Sequence, residues 1–416
     1  MKKSNLVALL TASMLFFAGC SALPFGNGTQ NSSEASSEMN KITKALDSEM
    51  LMKKLDNIAK YDFDKNKVFG SAYFVYDNGA AIEKCYGTTS LNNEEAITNT
   101  TLFRLASMTK PITTVATLVA MEKGLLSLDD TIDKFLPQFK SIAIKDANGK
   151  MSSPKHLPTI ANILTHTSGI GSDAEKLSKM TSADQATLDS AIAFYVGSGL
   201  DFEPGTKQAY SATGSFDVLV KIIETVSGED YLQFLKTNIF EPCNMKDTTF
   251  LPTDEQWDRI VDMHTQVDGQ NAIVAMPNDC IFGNVPATHY LGGAGLVSSL
   301  QDYCNFAKML LNNGQGENGK VLSKTSVKLL SSAQISADIM PGNARWGFGV
   351  RVIVDDSHPF LPKGTFGWSG AYGSHFWIDP ANNVFAVYMK NSQVDGGAGN
   401  ESANKFEQAV YSALLD

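Results

Sequence analysis

Positive charge is scarce in this chain. Its 34 lysines and arginines stand against 44 aspartates and glutamates, a formal net charge of −10. That excludes a nucleic acid as a favoured partner, because phosphate binding needs clustered cations. Cysteine is scarce too. Cys20, Cys85, Cys243, Cys280 and Cys304 contain no Cys-x-x-Cys pair, and no His/Cys cluster has zinc spacing. This argues against a structural metal. Nothing in the chain implies a cofactor. Internal repeats are also absent. What is present is ordinary for a globular enzyme: 43% hydrophobic and 19% charged residues. At 416 residues the chain has room for two domains or one large one.

The first twenty residues read as a processing segment. Lys2 and Lys3 give a positive start, and Leu6 to Phe17 is apolar but too short to span a membrane. Ala18-Gly19-Cys20 closes the run. The segment resembles a bacterial lipoprotein signal, which implies that Cys20 becomes a lipidated first residue. Phe17 departs from the aliphatic residue usual there. Ser21 follows, not the aspartate that often retains lipoproteins at the inner membrane. The expected location is therefore the bacterial cell envelope, lipid-anchored on the outer membrane or cell surface. Residues 21–40 are rich in Ser, Asn and Gly, bury little apolar surface, and read as a flexible tether. The other four cysteines could pair in such a compartment, in combinations the sequence leaves open.

The rest, 41–416, reads as one folded unit of two lobes. Helical spacing covers Lys41 to Tyr61. Val68 to Tyr76 and Ala80 to Tyr86 read as strands joined by the turn Asp77-Asn78-Gly79. Near the other end, Trp346 to Val354, Thr365 to Phe366, Gly373 to Ile378 and Val384 to Lys390 are strand-like, and Ser402 to Leu415 is helical. The middle is largely helical, as in Thr109 to Lys123, Ser215 to Thr225, Tyr231 to Asn238 and Leu300 to Asn312. The fold class expected is α+β. One antiparallel sheet is built from both termini (about 41–105 and 330–416) and flanked by helices, and a mostly helical second domain spans about 106–329. A cleft between the two is a usual place for a site.

Three stretches could carry chemistry. Ser107-Met108-Thr109-Lys110 puts a serine and a lysine three apart, on one helix face. A lysine held there without water can lose its proton and take one from the serine hydroxyl. Ser-x-x-Lys alone is weak: it recurs at Ser152…Lys155 and Ser402…Lys405. Context distinguishes the first copy. Pro111 belongs in a first helical turn, so Ser107 sits at a helix start, where free N–H groups favour developing negative charge. The bland reading of Ser107 is a helix cap. The second stretch brings Tyr210 up after the turn Glu203-Pro204-Gly205; a tyrosine beside a lysine can relay the serine's proton. The third is Gly367-Trp368-Ser369-Gly370-Ala371-Tyr372-Gly373, where glycines in a strand suit close approach of a substrate carbonyl.

Together these stretches resemble the serine β-lactamase/penicillin-binding-protein-like hydrolases, in the class C-like group that includes the family VIII carboxylesterases. Leu164-Thr165-His166-Thr167-Ser168-Gly169-Ile170 and Gly292-Gly293-Ala294-Gly295-Leu296 look like recurrent structural segments of that family, and the match runs from about residue 50 onward. The resemblance implies Ser107 as acylated nucleophile, Lys110 as its base and Tyr210 as proton relay. It implies the backbone N–H groups of Ser107 and Ala371 as oxyanion hole. Trp368, Ser369, Gly370 and His375 would line the substrate. Trp368-Ser369-Gly370 falls where β-lactamases have Lys-Thr-Gly, and Ala212 where they have the Asn of Tyr-x-Asn. Both departures remove groups that grip a β-lactam. The expected substrate is thus a small-molecule ester or amide cleaved through an acyl-enzyme. The alternatives are a D-Ala-D-Ala carboxypeptidase or weak β-lactamase, and a non-catalytic penicillin- or peptidoglycan-binding protein. In this resemblance His166 belongs to a structural turn, and Arg104 is a structural charge or a modulator of Lys110.

Overall fold

The computed structural model describes residues 46–415 apart from Ala147 and Asn278. The signal segment, Cys20 and the tether lie outside the described residues, as do the first five residues of the expected leading helix.

The elements that frame the site can be named in chain order. Helix α1 is Ser48–Asp64, β1 Gly70–Asp77 and β2 Ala80–Gly87. Helix α2 is Thr109–Glu122, α3 Gly214–Ser227 and α4 Leu300–Leu311. Then come β3 Ala344–Trp346, β4 Arg351–Ile353, β5 Phe366–Ser369, β6 His375–Asp379, β7 Val384–Met389 and α5 Glu401–Leu415. The seven strands form one sheet in the order β3-β4-β5-β6-β7-β1-β2. Every neighbouring pair is antiparallel, and Ala72 pairs with Met389 across the chain's two ends. The sheet built from both termini is thus observed.

Period-two alternation decides which side chain faces which layer. On β7, Val384, Ala386 and Tyr388 join the core under α1 and α5, with Leu51, Leu55, Trp377 and Phe406. Phe385, Val387 and Met389 face the other way, into the core shared with α2, α3 and α4. That second core runs from Phe376 and Ile378 of the sheet through Ile112 and Val115 of α2 to Phe216 and Leu219 of α3. The helices therefore pack on the sheet through one continuous apolar body.

Local chemistry sets the boundaries. Asp47 caps α1 by accepting from the Met50 N–H at 2.9 Å. The β1–β2 turn places Asn78 at φ 47° and Gly79 at φ 102°, the left-handed pair a two-residue hairpin needs. Two expectations are corrected. Trp346 to Val354 is not one strand: the chain folds back within it, with the Gly347 N–H donating to Val350 O at 2.9 Å, so Trp346 ends β3 and Arg351 begins β4. The middle is also less purely helical than expected. It carries hairpins such as Met263–Val267 with Gln270–Val274. The Asp268-Gly269 turn between them was a readable signal. In addition, Tyr231–Leu235 passes into a π-helical turn, Lys236–Phe240. All four described cysteines are free thiols, so the possible disulfides are not formed.

A buried charge network fixes the last helix. Asp395 accepts from the Glu401 and Ser402 backbone N–H groups at the start of α5, at 2.9 and 3.2 Å. Its carboxylate pairs with Lys390 at 2.8 Å, and Lys390 is fully buried. Burial works against the Asp395 carboxylate, but Lys390, Ser402 and Lys67 outweigh it and hold its pKa well below the ordinary 3.8. A group depressed in this way stabilises the fold fully above its unfolded value, and that contribution is lost as pH falls below about 3.8. Asp395→Asn should cost about 3–5 kcal/mol at neutral pH, because Lys390 is left buried and unpaired. It should also flatten the acid limb of the stability curve. Urea titrations of both proteins at neutral and acid pH check this.

Candidate active site

The approach to Ser107 is clamped before the serine is reached. Leu102–Arg104 pairs with Val297–Ser299. Asn391 accepts from the Arg104 N–H at 2.9 Å and donates to Arg104 O at 3.0 Å. The Arg104 guanidinium is buried and donates to Val261 O, which makes it a structural cation. Ala106 then takes a left-handed φ of 44°, and Ala106–Met108 forms a 3₁₀ turn running straight into α2. Such a φ in alanine is strained by about 1–3 kcal/mol and persists only where the surroundings over-determine it. It leaves the Ser107 side chain half-buried among neighbours that are buried.

Lys110 is one turn on, and its nitrogen is fully buried. Nζ donates to Ala212 O at 2.5 Å and Gly293 O at 2.9 Å, and lies 3.4 Å from Ser107 Oγ. The two carbonyls come from separate loops. A Cβ on Gly293 would stand 2.7 Å from Ala212 O and 3.0 Å from Lys110 Nζ, so only glycine fits there. The Ala212 departure from the family's asparagine thus leaves the backbone carbonyl at that position in use. Tyr210 Oη donates to Ser107 Oγ at 2.8 Å and accepts from Trp368 Nε1 at 3.3 Å. The lysine nitrogen lies 4.9 Å from the Tyr210 ring centroid. Ser107 and Lys110, neighbours in sequence, thus form one connected cluster with the distant Tyr210 and Trp368.

The glycine-rich stretch follows β5. A Cβ on Gly370 would stand 2.4 Å from Leu105 O, so this glycine lets the strand end lie directly against the turn that carries Ser107. Ala371, next in sequence, is exposed. Alternation on β5 splits the expected substrate contacts. Trp368 faces Tyr210, whereas Ser369 and its cross-strand partner His375 are buried. His375 Nδ1 is 2.8 Å from Ser369 Oγ, and its Nε2 is 2.9 Å from Glu407 of α5. Burial opposes the Glu407 carboxylate, yet the His375 hydrogen bond brings its pKa below the ordinary value.

Sequence reasoning missed Trp346. The β3–β4 hairpin carries it to within 4.6 Å of the Trp368 ring and 5.9 Å of the Tyr210 ring, nearly parallel to the latter. A single-strand reading of 346–354 gave no signal for this. His166 is buried, its ring 4.6 Å from that of Tyr210. Burial, and then the charge of Lys110, hold its pKa well below 6.5, so it is neutral. The other Ser-x-x-Lys copies are accounted for differently: Ser152 and Lys155 are exposed, and Ser402 bonds Asp62 while Lys405 pairs with Glu401. Among the described residues no cluster of acidic, histidine or cysteine side chains could hold a metal.

Comparisons with known proteins give the same architecture. Protein Rv1367c of Mycobacterium tuberculosis is 29% identical over 342 residues, covering 74% of this chain and 84% of its own. Esterase EstB of Burkholderia gladioli is 26% identical over 384 residues, covering 85% and 94%. Among solved structures, EstCE1, described as a hydrolase with promiscuous acyltransferase activity, superposes with a TM-score of 0.75. It has 24% identity over 88% of this chain and 99% of that one. A penicillin-binding-protein homologue from Pyrococcus abyssi gives a TM-score of 0.67 at 21% identity, over 86% and 76%. The family profile described as Beta-lactamase matches residues 54–409, and the chain accordingly belongs to the beta-lactamase family.

Proposed function

We propose that this chain is a serine hydrolase that cleaves small, uncharged esters through an acyl-enzyme on Ser107. The observation that carries the reading is the Ser107 hydroxyl set between the Lys110 nitrogen and the Tyr210 phenol, at 3.4 and 2.8 Å. The Ala212 and Gly293 carbonyls occupy two sides of the Lys110 nitrogen, and Ser107 faces it from another. As Ser107 Oγ bonds to the substrate carbonyl carbon, its proton passes to Lys110. Tyr210 relays a proton to the leaving alcohol as the ester C–O bond breaks. Water then hydrolyses the acyl group by the reverse path. The free N–H groups of Ser107 and Ala371 are the donors for the developing oxyanion.

The ester preference rests on Trp368. Its indole N–H is a neutral donor to Tyr210 Oη where the β-lactamases have a lysine, so the site offers an aromatic wall and no cation to grip a substrate carboxylate. Trp346 and Tyr210 extend that wall. The similarity to an esterase over most of both chains supports the same choice. The lipoprotein-like segment supports an extracytoplasmic, lipid-anchored enzyme.

Ser107→Ala should abolish turnover of short p-nitrophenyl esters in a folded protein, and Lys110→Ala or Tyr210→Phe should each cost at least about a hundredfold. Wild-type rates on a chromogenic cephalosporin should be weak or nil; efficient cephalosporin turnover would favour the β-lactamase reading, and no fluorophosphonate adduct a binding protein. Trp368→Phe keeps the ring but removes the donor, and should lower kcat about tenfold with KM little changed. Steady-state kinetics of that variant test it. For the anchor, Cys20→Ser should abolish metabolic labelling by palmitate and release the protein from the membrane fraction.

A further inference from the structure

One buried residue grips the tyrosine from three directions. The His166 backbone carbonyl accepts from the Ala209 N–H at 3.0 Å. Its Nδ1 accepts from the Ser211 N–H at 3.2 Å. Between these two bonds lies Tyr210, whose ring sits 4.6 Å from the imidazole. The residues immediately before and after the phenol are thus tied to a single histidine, and the phenol ring rests on that histidine's own.

The geometry of His166 is not incidental. It has a φ of 56°, a left-handed conformation uncommon outside glycine, and both its carbonyl and its side chain bond the same neighbouring segment, Ala209 to Ser211. Phe216 and Trp346 hold the ring from other sides, at 5.5 and 4.4 Å. Because Nδ1 accepts from a backbone N–H, its lone pair must be free and the proton must sit on Nε2. A proton on Nδ1 would set two N–H groups against each other. The Ser211 N–H thus disfavours a proton on Nδ1, and burial, then the charge of Lys110, disfavours the doubly protonated ring.

We infer that His166 is a positioning residue for Tyr210. Its Nδ1 and carbonyl fix the backbone on both sides of the phenol, and so hold Oη at bonding distance from Ser107 Oγ. This rests on the reading of Tyr210 as proton relay. It assigns to the Leu-Thr-His-Thr-Ser-Gly turn a role in the chemical step, with no proton passing through the histidine itself.

The test separates the acceptor from the ring. His166→Phe keeps a ring without the acceptor; His166→Asn keeps an acceptor oxygen near the Nδ1 position without the ring. His166→Phe should lower kcat on p-nitrophenyl esters about thirtyfold or more with KM within about twofold, since the loss is confined to the chemical step. His166→Asn should restore kcat to within about threefold of wild type, a rescue that generic loss of packing would not give. Thermal unfolding confirms that each variant is folded. Wild-type kcat in a folded His166→Phe protein, or equal losses in both variants, would overturn the inference. If His166→Phe does not fold, His166→Asn decides alone: near-wild-type kcat supports the inference and a loss beyond about thirtyfold overturns it. Failure of the underlying reading looks different, because wild-type protein would then give no ester turnover and no adduct on Ser107.

Discussion

The site depends on hiding one amine nitrogen from water and surrounding it with backbone carbonyls. Lys110 Nζ has no exposed surface and is held by Ala212 O and Gly293 O. Two loops from different parts of the chain must converge to supply those oxygens. Asp217 of α3 helps by accepting from the Gly292 N–H at 3.0 Å, which fixes the loop that carries Gly293. Unpartnered carbonyls in an apolar core are expensive, so the loops and the lysine need each other. The packing of α2 against α3 then follows as the scaffold that keeps this convergence in place.

Given that nitrogen, the remaining chemistry is a matter of what surrounds the serine. Ser107 follows a strained turn pressed by Gly370 at the end of β5, with α2 running on from the same turn. Tyr210 links them, bonded to Ser107 and to Trp368. Replacing a lysine by a tryptophan keeps a donor for the phenol but removes a full charge. The proposed ester preference follows from that change, with the Ser107–Tyr210–Trp368 connection kept.

Much of this was legible in the residues. The two terminal hairpins and the period-two strands declared the sheet, and Pro111 located the helix start behind Ser107. The pairing of β1 with β7 followed only from the idea that both ends build one sheet. What could not be read is long-range. Nothing in the sequence says that Trp346 turns back toward Tyr210, because the Gly347 turn looks like the middle of a strand. His375 seemed a cleft residue from its nearness to Trp368, but an odd spacing along a pleated sheet puts it with Ser369 in the layer beneath, against Glu407. The role of Ala212 was invisible for another reason: its working atom is a backbone oxygen, which every residue has.

The strand order carries an implication for synthesis. Gly367 sits on β5 between β4 and β6, and that half of the sheet joins β1 and β2 only through the pairing of β7 with β1. Gly373 in turn lies against the Lys390 side chain, and Gly396 against Ala371 O, so the stretch after β5 is backed by residues that follow β7. A ribosome-bound fragment that ends before β5 therefore carries Ser107 and Lys110 without Trp368. The pairing of Ala72 with Met389 closes a loop between segments far apart in the chain, and closing so long a loop slows folding.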